Sequence, residues 1–295
     1  MSKSAVIQAV NEMWNVVFQY DPTNVDQLKR KFFNNEYVEP IEPLILDDAF
    51  SLLGVRSKAF LYERYNKNEA WIFSAGSISP ESLCRLINLQ ILKLKEIGIS
   101  RVHYSGFSPG YFFPGIDSDR YPEIYETLLS LGFKVVDEAI TMEADIGPLK
   151  YSIQRDDRVS IMDLTPSEIN AFLSVVSRNF PADCYFRCQG VILRGSIDQI
   201  TIAKVGSEIV GYAMYASGEG PFEFAPGERF GCFEVIDSYR SFGIGSKLLK
   251  TTLTKMKSNG IRHAYFLWTT ERASHIYSRY GFNISRRFKI MSLDI

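Results

Sequence analysis

The strongest chemical signal in the chain is the segment Arg240-Ser241-Phe242-Gly243-Ile244-Gly245-Ser246, an Arg-x-x-Gly-x-Gly pattern set between an apolar, strand-like run and a strongly helical one. A strand that turns through such a loop into a helix aims backbone N–H groups of the first helical turn at one point, which suits phosphate oxygens. Gly243 and Gly245 let an anion approach the main chain with no Cβ in the way, and Arg240 and Ser246 add side-chain donors. The pattern lacks the third glycine and acidic partner of a dinucleotide fingerprint, and it lacks the Gly-Lys-Ser/Thr of a Walker loop. Glu234 is the second residue of chemical interest. It lies in the otherwise apolar run 230–236, where a buried carboxylate is costly unless it has a partner or a proton to carry. A structural ion pair and a general base are both open for it, and Glu228 and Glu223 upstream are alternatives.

Other reactive side chains carry less. Cys84, Cys184, Cys188 and Cys232 form neither the paired short spacings of a zinc site nor a disulfide framework, so they read as reduced, mostly core thiols. Cys184 and Cys188 are one helical turn apart and suit core or groove lining. His263 and His275 read as solvated or structural, and Trp268 as core or a wall of a cleft.

The elements that must hold these residues follow from periodicity and caps. A strand is expected over 158–163, then the capping box Thr165-Pro166-Ser167-Glu168 with proline at the first helical position, and a helix to about Arg178. Two β-branched runs, 200–204 and 209–216, flank Val205-Gly206-Ser207-Glu208 as a hairpin. After the strand 230–236 and the glycine loop, Leu248, Leu249, Leu253 and Met256 fall on one helical face that Gly260 closes. A strand over 264–268, a helix over 271–280 and a terminal strand over 282–294 complete the order β-αα-β-β-β-α-β-α-β. Ahead of this, helices are expected near 6–19, 25–33, 82–97 and 124–131, without a clear first strand.

The two halves echo one another. Lys93-Leu94-Lys95-Glu96-Ile97-Gly98-Ile99 returns as Lys255-Met256-Lys257-Ser258-Asn259-Gly260-Ile261 at an offset of 162. Gly132-Phe133, Met142 and Asp145-Ile146 return as Gly281-Phe282, Met291 and Asp294-Ile295 at an offset of 149. The first copy therefore carries a 13-residue insertion, which falls near 104–119 and includes Tyr111-Phe112-Phe113-Pro114-Gly115. A period this long is a domain duplication, with residues 1–150 and 151–295 as the two units and 147–157 as a short junction.

With 295 residues, 46% hydrophobic and 23% charged, the chain has the composition of a globular protein of two ordinary domains. The absence of a long apolar run and of a signal-like start argues for a cytoplasmic protein with no membrane partner. Net charge is −1; residues 1–150 hold 15 basic and 20 acidic side chains and 151–295 hold 18 and 14, so the second half suits a polyanion better. That balance is too mild for a nucleic-acid partner.

Residues 235–249, centred on the glycine loop, resemble the central motif of the GNAT acyl-coenzyme A N-acyltransferases. Ala273, Ile276-Tyr277 and Gly281-Phe282 resemble that family's second signature, and Thr270 stands where the family usually has asparagine. The resemblance covers roughly 160–295 and implies an α/β fold of two tandem GNAT-like domains, each a mixed, mostly antiparallel sheet flanked by helices. It implies acetyl-CoA, or a longer acyl-CoA, as co-substrate. Arg240, Ser241, Phe242, Gly243, Ile244, Gly245 and Ser246 would cradle its pyrophosphate, the main chain of Phe233 and Val235 would pair with its pantetheine arm, and Thr270 would offer a hydroxyl. By its place in the signature, Tyr277 is the general acid for the departing thiolate, and the base is Glu234, Glu228, Glu223 or a water. No metal is called for. The acceptor is the primary amine of a small molecule or peptide, and the assembly a monomer or homodimer.

Carried back by 162, Arg240, Gly243 and Gly245 become Ile78, Glu81 and Leu83, and carried back by 149, Tyr277 becomes Leu128. Pro80 removes an N–H and Glu81 places a carboxylate in the first turn, so the first copy reads as degenerate, a support that can supply one wall of the acceptor cleft. A coenzyme-binding sensor without turnover is the alternative reading. Transfer from aminoacyl-tRNA is weakened by the near-neutral charge and the intact coenzyme motif.

Overall fold

The computed structural model describes residues 2–41, 45–57, 68–107, 110–152, 158–216, 228–240 and 242–295. The chain opens with α1 (Lys3–Val17), started by the Ser2 hydroxyl on Ala5 N–H and buried through Ile7, Val10 and Trp14 on one helical face. The helix expected over 25–33 is a short α2 (Val25–Leu28) that widens into a π-helical turn, Lys29–Phe33. Strands β1 (Val38–Ile41), β2 (Ile45–Leu46), β3 (Ala49–Arg56) and β4 (Glu69–Ser77) lead into α3 (Pro80–Glu96), followed by β5 (Arg101–Tyr104), α4 (Pro122–Ser130) and β6 (Lys134–Asp145).

The second half runs β7 (Ser160–Asp163), α5 (Ile169–Asn179), α6 (Ala182–Leu193), β8 (Ile200–Val205), β9 (Glu208–Ala216), β10 (Glu228–Val235), α7 (Ile244–Ser258), β11 (His263–Thr269), α8 (Glu271–Ser278) and β12 (Asn283–Asp294). The capping box at Thr165 and Glu168 forms as read, although its first turn is 3₁₀ before α5 begins. Gly98 and Gly260 end α3 and α7 in the same left-handed conformation, φ +79° and +81°, so the echoed segments have the same local structure. Among the described residues the first half has no counterpart of β7.

The mixed, mostly antiparallel sheet expected of each half is present, and the two are continuous: one 12-stranded sheet runs β1-β3-β4-β5-β12-β6-β11-β10-β9-β8-β7, with β2 paired to β3. Among the described residues only β4 with β5 and β10 with β11 are parallel. The order shows an exchange that periodicity does not reveal. The last strand of the first half, β6, pairs with β11, and the last strand of the second half, β12, pairs with β5. Each crosses into the other half's core: Ile140, Met142 and Ala144 pack with Leu248, Leu253 and Phe266, whereas Phe288 and Met291 pack with Leu83, Ile124 and Phe133.

The junction after β6 lies against the second half. Leu149 sits where a Cβ on Gly281 would be, 2.6 Å away, Tyr151 donates to Tyr280 O at 3.0 Å, and Lys257 Nζ donates to Leu149 O at 2.9 Å. Among the described residues no helix is long and apolar enough to cross a membrane.

Candidate active site

The site is built around a strand that leaves its neighbour. Among the described residues β10 and β11 pair at two positions, Glu228 with Ala264 and Arg229 with Tyr265. Beyond these, β10 keeps pairing with β9 on its other side, with a bulge between Phe230 and Phe233. The edge of β10 toward β11 therefore carries main-chain groups not paired with β11 over 230–235, as an extended ligand arm requires. Phe233 and Val235 pack on the α7 side of the sheet, while Cys232 packs on the side of α5 and α6.

At the end of β10 the glycine loop makes the turn into α7. Gly243 has φ +74°, which L side chains rarely adopt, and a Cβ on Gly245 would lie 3.2 Å from the Phe233 ring. α7 begins with no side-chain cap and no acidic residue in its first turn. Its N-terminal N–H groups and dipole are thus left for an external anion, so the loop fits a phosphate-bearing co-substrate. Ser246 Oγ accepts from Tyr280 Oη at 2.7 Å, which leaves the serine proton to give. Arg240 points back along the strand: its Nε donates to Val235 O at 3.1 Å and its Nη2 is 2.9 Å from Asp237. Phe242 is exposed, Ile244 is buried in the core, and Ser241 lies outside the described residues.

Tyr277, on α8, stands beside the gap between β10 and β11. Its ring is 4.5 Å from that of Phe266 and 6.1 Å from those of Phe233 and Phe282. Burial pushes its phenol well above the ordinary range, and the nearby Glu234 and Cys232 add to this, so the hydroxyl holds its proton throughout the neutral range. Glu234 Oε2 is 3.9 Å from Arg240 Nη2. Burial raises the Glu234 carboxyl above the usual carboxylate range; Arg240 opposes the shift and Asp237 adds to it. A carboxylate so raised is a better proton acceptor than an exposed one. Thr270 caps α8 by accepting from Ala273 N–H at 3.3 Å. Glu228 opens β10, and Glu223 lies outside the described residues.

The other reactive residues have structural partners. His263 Nε2 is 3.0 Å from Glu143, and His275 is exposed on α8. Cys184 and Cys188 are buried on α6, and Cys188 donates to the Met214 sulfur. Trp268 packs against Tyr111 of the insertion, ring centroids 5.5 Å apart.

In the first half the corresponding features are filled. Ser79 Oγ caps α3 by accepting from Ser82 N–H, Pro80 occupies the first turn, and Glu81 follows. The depression between α3 and α4 presents Glu81, Glu123 and Glu126 against one arginine, Arg85, a balance that disfavours phosphate. The Phe107 ring of the insertion lies 4.6 Å from that of Phe73 in the middle of β4, and Phe112 and Phe113 pack on Trp14.

Residues 196–284 match the family model of the acetyltransferase (GNAT) domain. This segment of the second half is similar to a GNAT domain. No curated protein matches its sequence. Among solved structures, a GCN5-related glucosamine N-acetyltransferase region of a fungal multi-domain GH3 β-N-acetylglucosaminidase aligns over 99% of this chain at 14% identity and a TM-score of 0.74, and the chain spans 37% of its length. A GCN5-related N-acetyltransferase from Sphaerobacter thermophilus aligns over 98% of this chain and 93% of its own at 14% identity, TM-score 0.65. A tandem GNAT protein from the clavulanic acid biosynthesis pathway aligns over 99% and 96% at 11% identity, TM-score 0.64. At these identities the likeness is one of fold, and it extends over both halves of the chain.

The sequence singles out the loop, Tyr277 and Glu234 but not Arg187 and Arg229. Both are buried arginines, one on α6 between Cys184 and Cys188 and one near the start of β10. The available signal was a charged residue on an otherwise apolar face in each element.

Proposed function

We propose that this GNAT protein is an acetyl-CoA-dependent N-acetyltransferase whose chemistry belongs to residues 151–295, with residues 1–150 as a degenerate, supporting copy. The observation that carries the reading is the opening of β10 from β11 between an uncapped, glycine-led helix and a protonated tyrosine. Gly243, Gly245 and Ser246, with the first-turn N–H groups of α7, hold the pyrophosphate, and the main chain of Phe233 and Val235 holds the pantetheine arm. Arg240, tied to Asp237, orders the loop and gives its remaining N–H groups to phosphate, as Ser241 and Phe242 give main-chain groups and Thr270 a hydroxyl.

A neutral amine nitrogen attacks the thioester carbonyl; the C–N bond forms, the C–S bond breaks, and the products are an amide and a free thiol. Glu234, raised by burial, takes the proton that the amine loses, directly or through water, and Tyr277 gives one to the departing sulfur. A cytoplasmic location is part of this reading, supported by four cysteines that form no disulfide. Incubating the protein with acetyl-CoA, a thiol-detecting reagent and a panel of amines, amino sugars and peptides tests the reading. Amine-dependent thiol release supports it, whereas tight coenzyme binding with no release for any amine favours a coenzyme sensor.

A further inference from the structure

A cavity of about 230 Å³ lies where the π-helical turn and the insertion of the first half meet α6 and the start of β10. It is smaller than the roughly 300–1,000 Å³ of sites that hold drug-sized ligands. Five of its lining side chains are arginine or lysine and two are carboxylates. Two of the arginines are themselves more than nine-tenths buried: Arg187, at 8% exposure, and Arg229, at 7%. Arg229 Nη2 donates to Tyr111 Oη at 2.9 Å with the guanidinium 5.6 Å from the Tyr111 ring, and Arg187 Nη2 is 3.5 Å from Gly231 O. A lining in which guanidinium and ammonium groups outnumber carboxylates suits an anionic ligand.

The cavity also has a place in the reaction. Gly231 is in the bulge of β10, next to Cys232 and three residues before Glu234, and Arg187 reaches it from the sheet face opposite α7. A co-substrate cradled at α7 and an acceptor held against α6 would meet at the gap from opposite faces of the sheet.

Given the acyl-transfer reading above, we propose that this cavity is the acceptor subsite, and that the acceptor is a small amine that also carries an anionic group, a carboxylate or a phosphate, bound by Arg187 and Arg229. Guanidinium forks match both oxyanions in two-point fashion. Asp183, also in the lining, offers a carboxylate with which an ammonium group would pair. Because Arg30, Lys31 and Tyr111 come from the first half, that half selects the acceptor while carrying none of the chemistry.

The test uses the full chain and matched pairs of small amines: β-alanine with β-alaninamide, and phosphoethanolamine with ethanolamine. Binding is read by calorimetry without coenzyme, and turnover by thiol release with acetyl-CoA. The anionic member of at least one pair should bind, and be acetylated at lower KM, by about tenfold or more, the scale of one hydrogen bond to a charged group. Whichever pair shows the preference identifies the oxyanion. Arg187→Gln should abolish the preference and leave the KM for acetyl-CoA unchanged. Arg30→Gln, at an exposed position, should weaken the anionic member alone and stands in if the buried variant fails to fold. Equal binding of charged and neutral members in both pairs overturns the subsite. Preferential binding of an anionic member, lost in Arg187→Gln but without turnover of any amine, keeps the subsite and removes the acetyltransferase reading.

Discussion

Ala139 of β6 pairs directly with Phe288 of β12, its own counterpart at the repeat offset of 149. The antiparallel register places a local two-fold between the copies at this pair, and the strand order reads outward from it in matched steps, β5 with β11, β4 with β10, β3 with β9 and β1 with β8. Each half completes its core with a strand from the other. An isolated 151–295 fragment lacks Ile140, Met142, Ala144 and Ile146, which are buried in the second core. It is expected to show no cooperative thermal transition by circular dichroism, whereas a fragment extended back to residue 134 should regain one. A fully active 151–295 fragment would refute the exchange.

Arg286 of β12 fixes the same junction electrostatically. Its Nη1 and Nη2 meet Asp21 at 2.7 and 2.9 Å and its Nε meets Asp117 at 2.7 Å, while Tyr121 donates to Asp21 at 2.6 Å. All three charged groups are buried. Arg286→Leu leaves two buried carboxylates without this partner and should cost about 3–5 kcal/mol in urea unfolding of the whole chain. A loss well under that value would mean the acids neutralise without difficulty.

Coenzyme binding should depend on the loop in the second half alone. Gly245→Val drives a side chain into the Phe233 ring and the anion path, and should weaken acetyl-CoA binding by calorimetry at least about tenfold, the worth of one charge-assisted hydrogen bond. Gly243→Val must adopt φ +74° and should also lose about 1–2 kcal/mol of stability. Pro80→Ala and Glu81→Gln should leave binding unchanged.

Tyr277→Phe keeps the ring packed on Phe266 and removes the proton donor. Turnover should fall about tenfold or more, within what proton transfer contributes, with little change in coenzyme affinity. Unchanged turnover on the acceptor would assign the thiolate's proton to water.

The raised carboxyl of Glu234 sets the acid limb of activity. A base works ionised, and burial favours its neutral form, so kcat/KM should decline with falling pH at a higher pH than for an exposed carboxylate. Glu234→Gln should lower the rate and remove that limb together. The sign for stability is the opposite. A carboxyl raised in the folded state favours folding at low pH and opposes it as pH rises through the folded value, so the glutamine variant should gain stability relative to wild type at neutral pH.

Local chemistry made much of this legible in the sequence. The caps at Thr165 and Ser79, the glycine stops at Gly98 and Gly260 and the apolar face of α7 depend on neighbours within a turn or two, and so do the loop at Gly243 and Gly245 and the placement of Tyr277 on a short helix. Even the buried insertion around Phe112 and Phe113 was visible as the difference between two offsets. Pairing between distant segments was not. β6 and β12 are equivalent strands of equal length, and either could satisfy its main-chain hydrogen bonds beside β5 or beside β11. The choice falls to which core each strand's buried face fills, Met142 against the helix of the glycine loop and Met291 against α3 and α4, and that is a property of the packed molecule. The same holds for the basic cavity, where arginines from α6 and β10 meet a tyrosine from an insertion 118 residues from Arg229 only after the two sheets have joined.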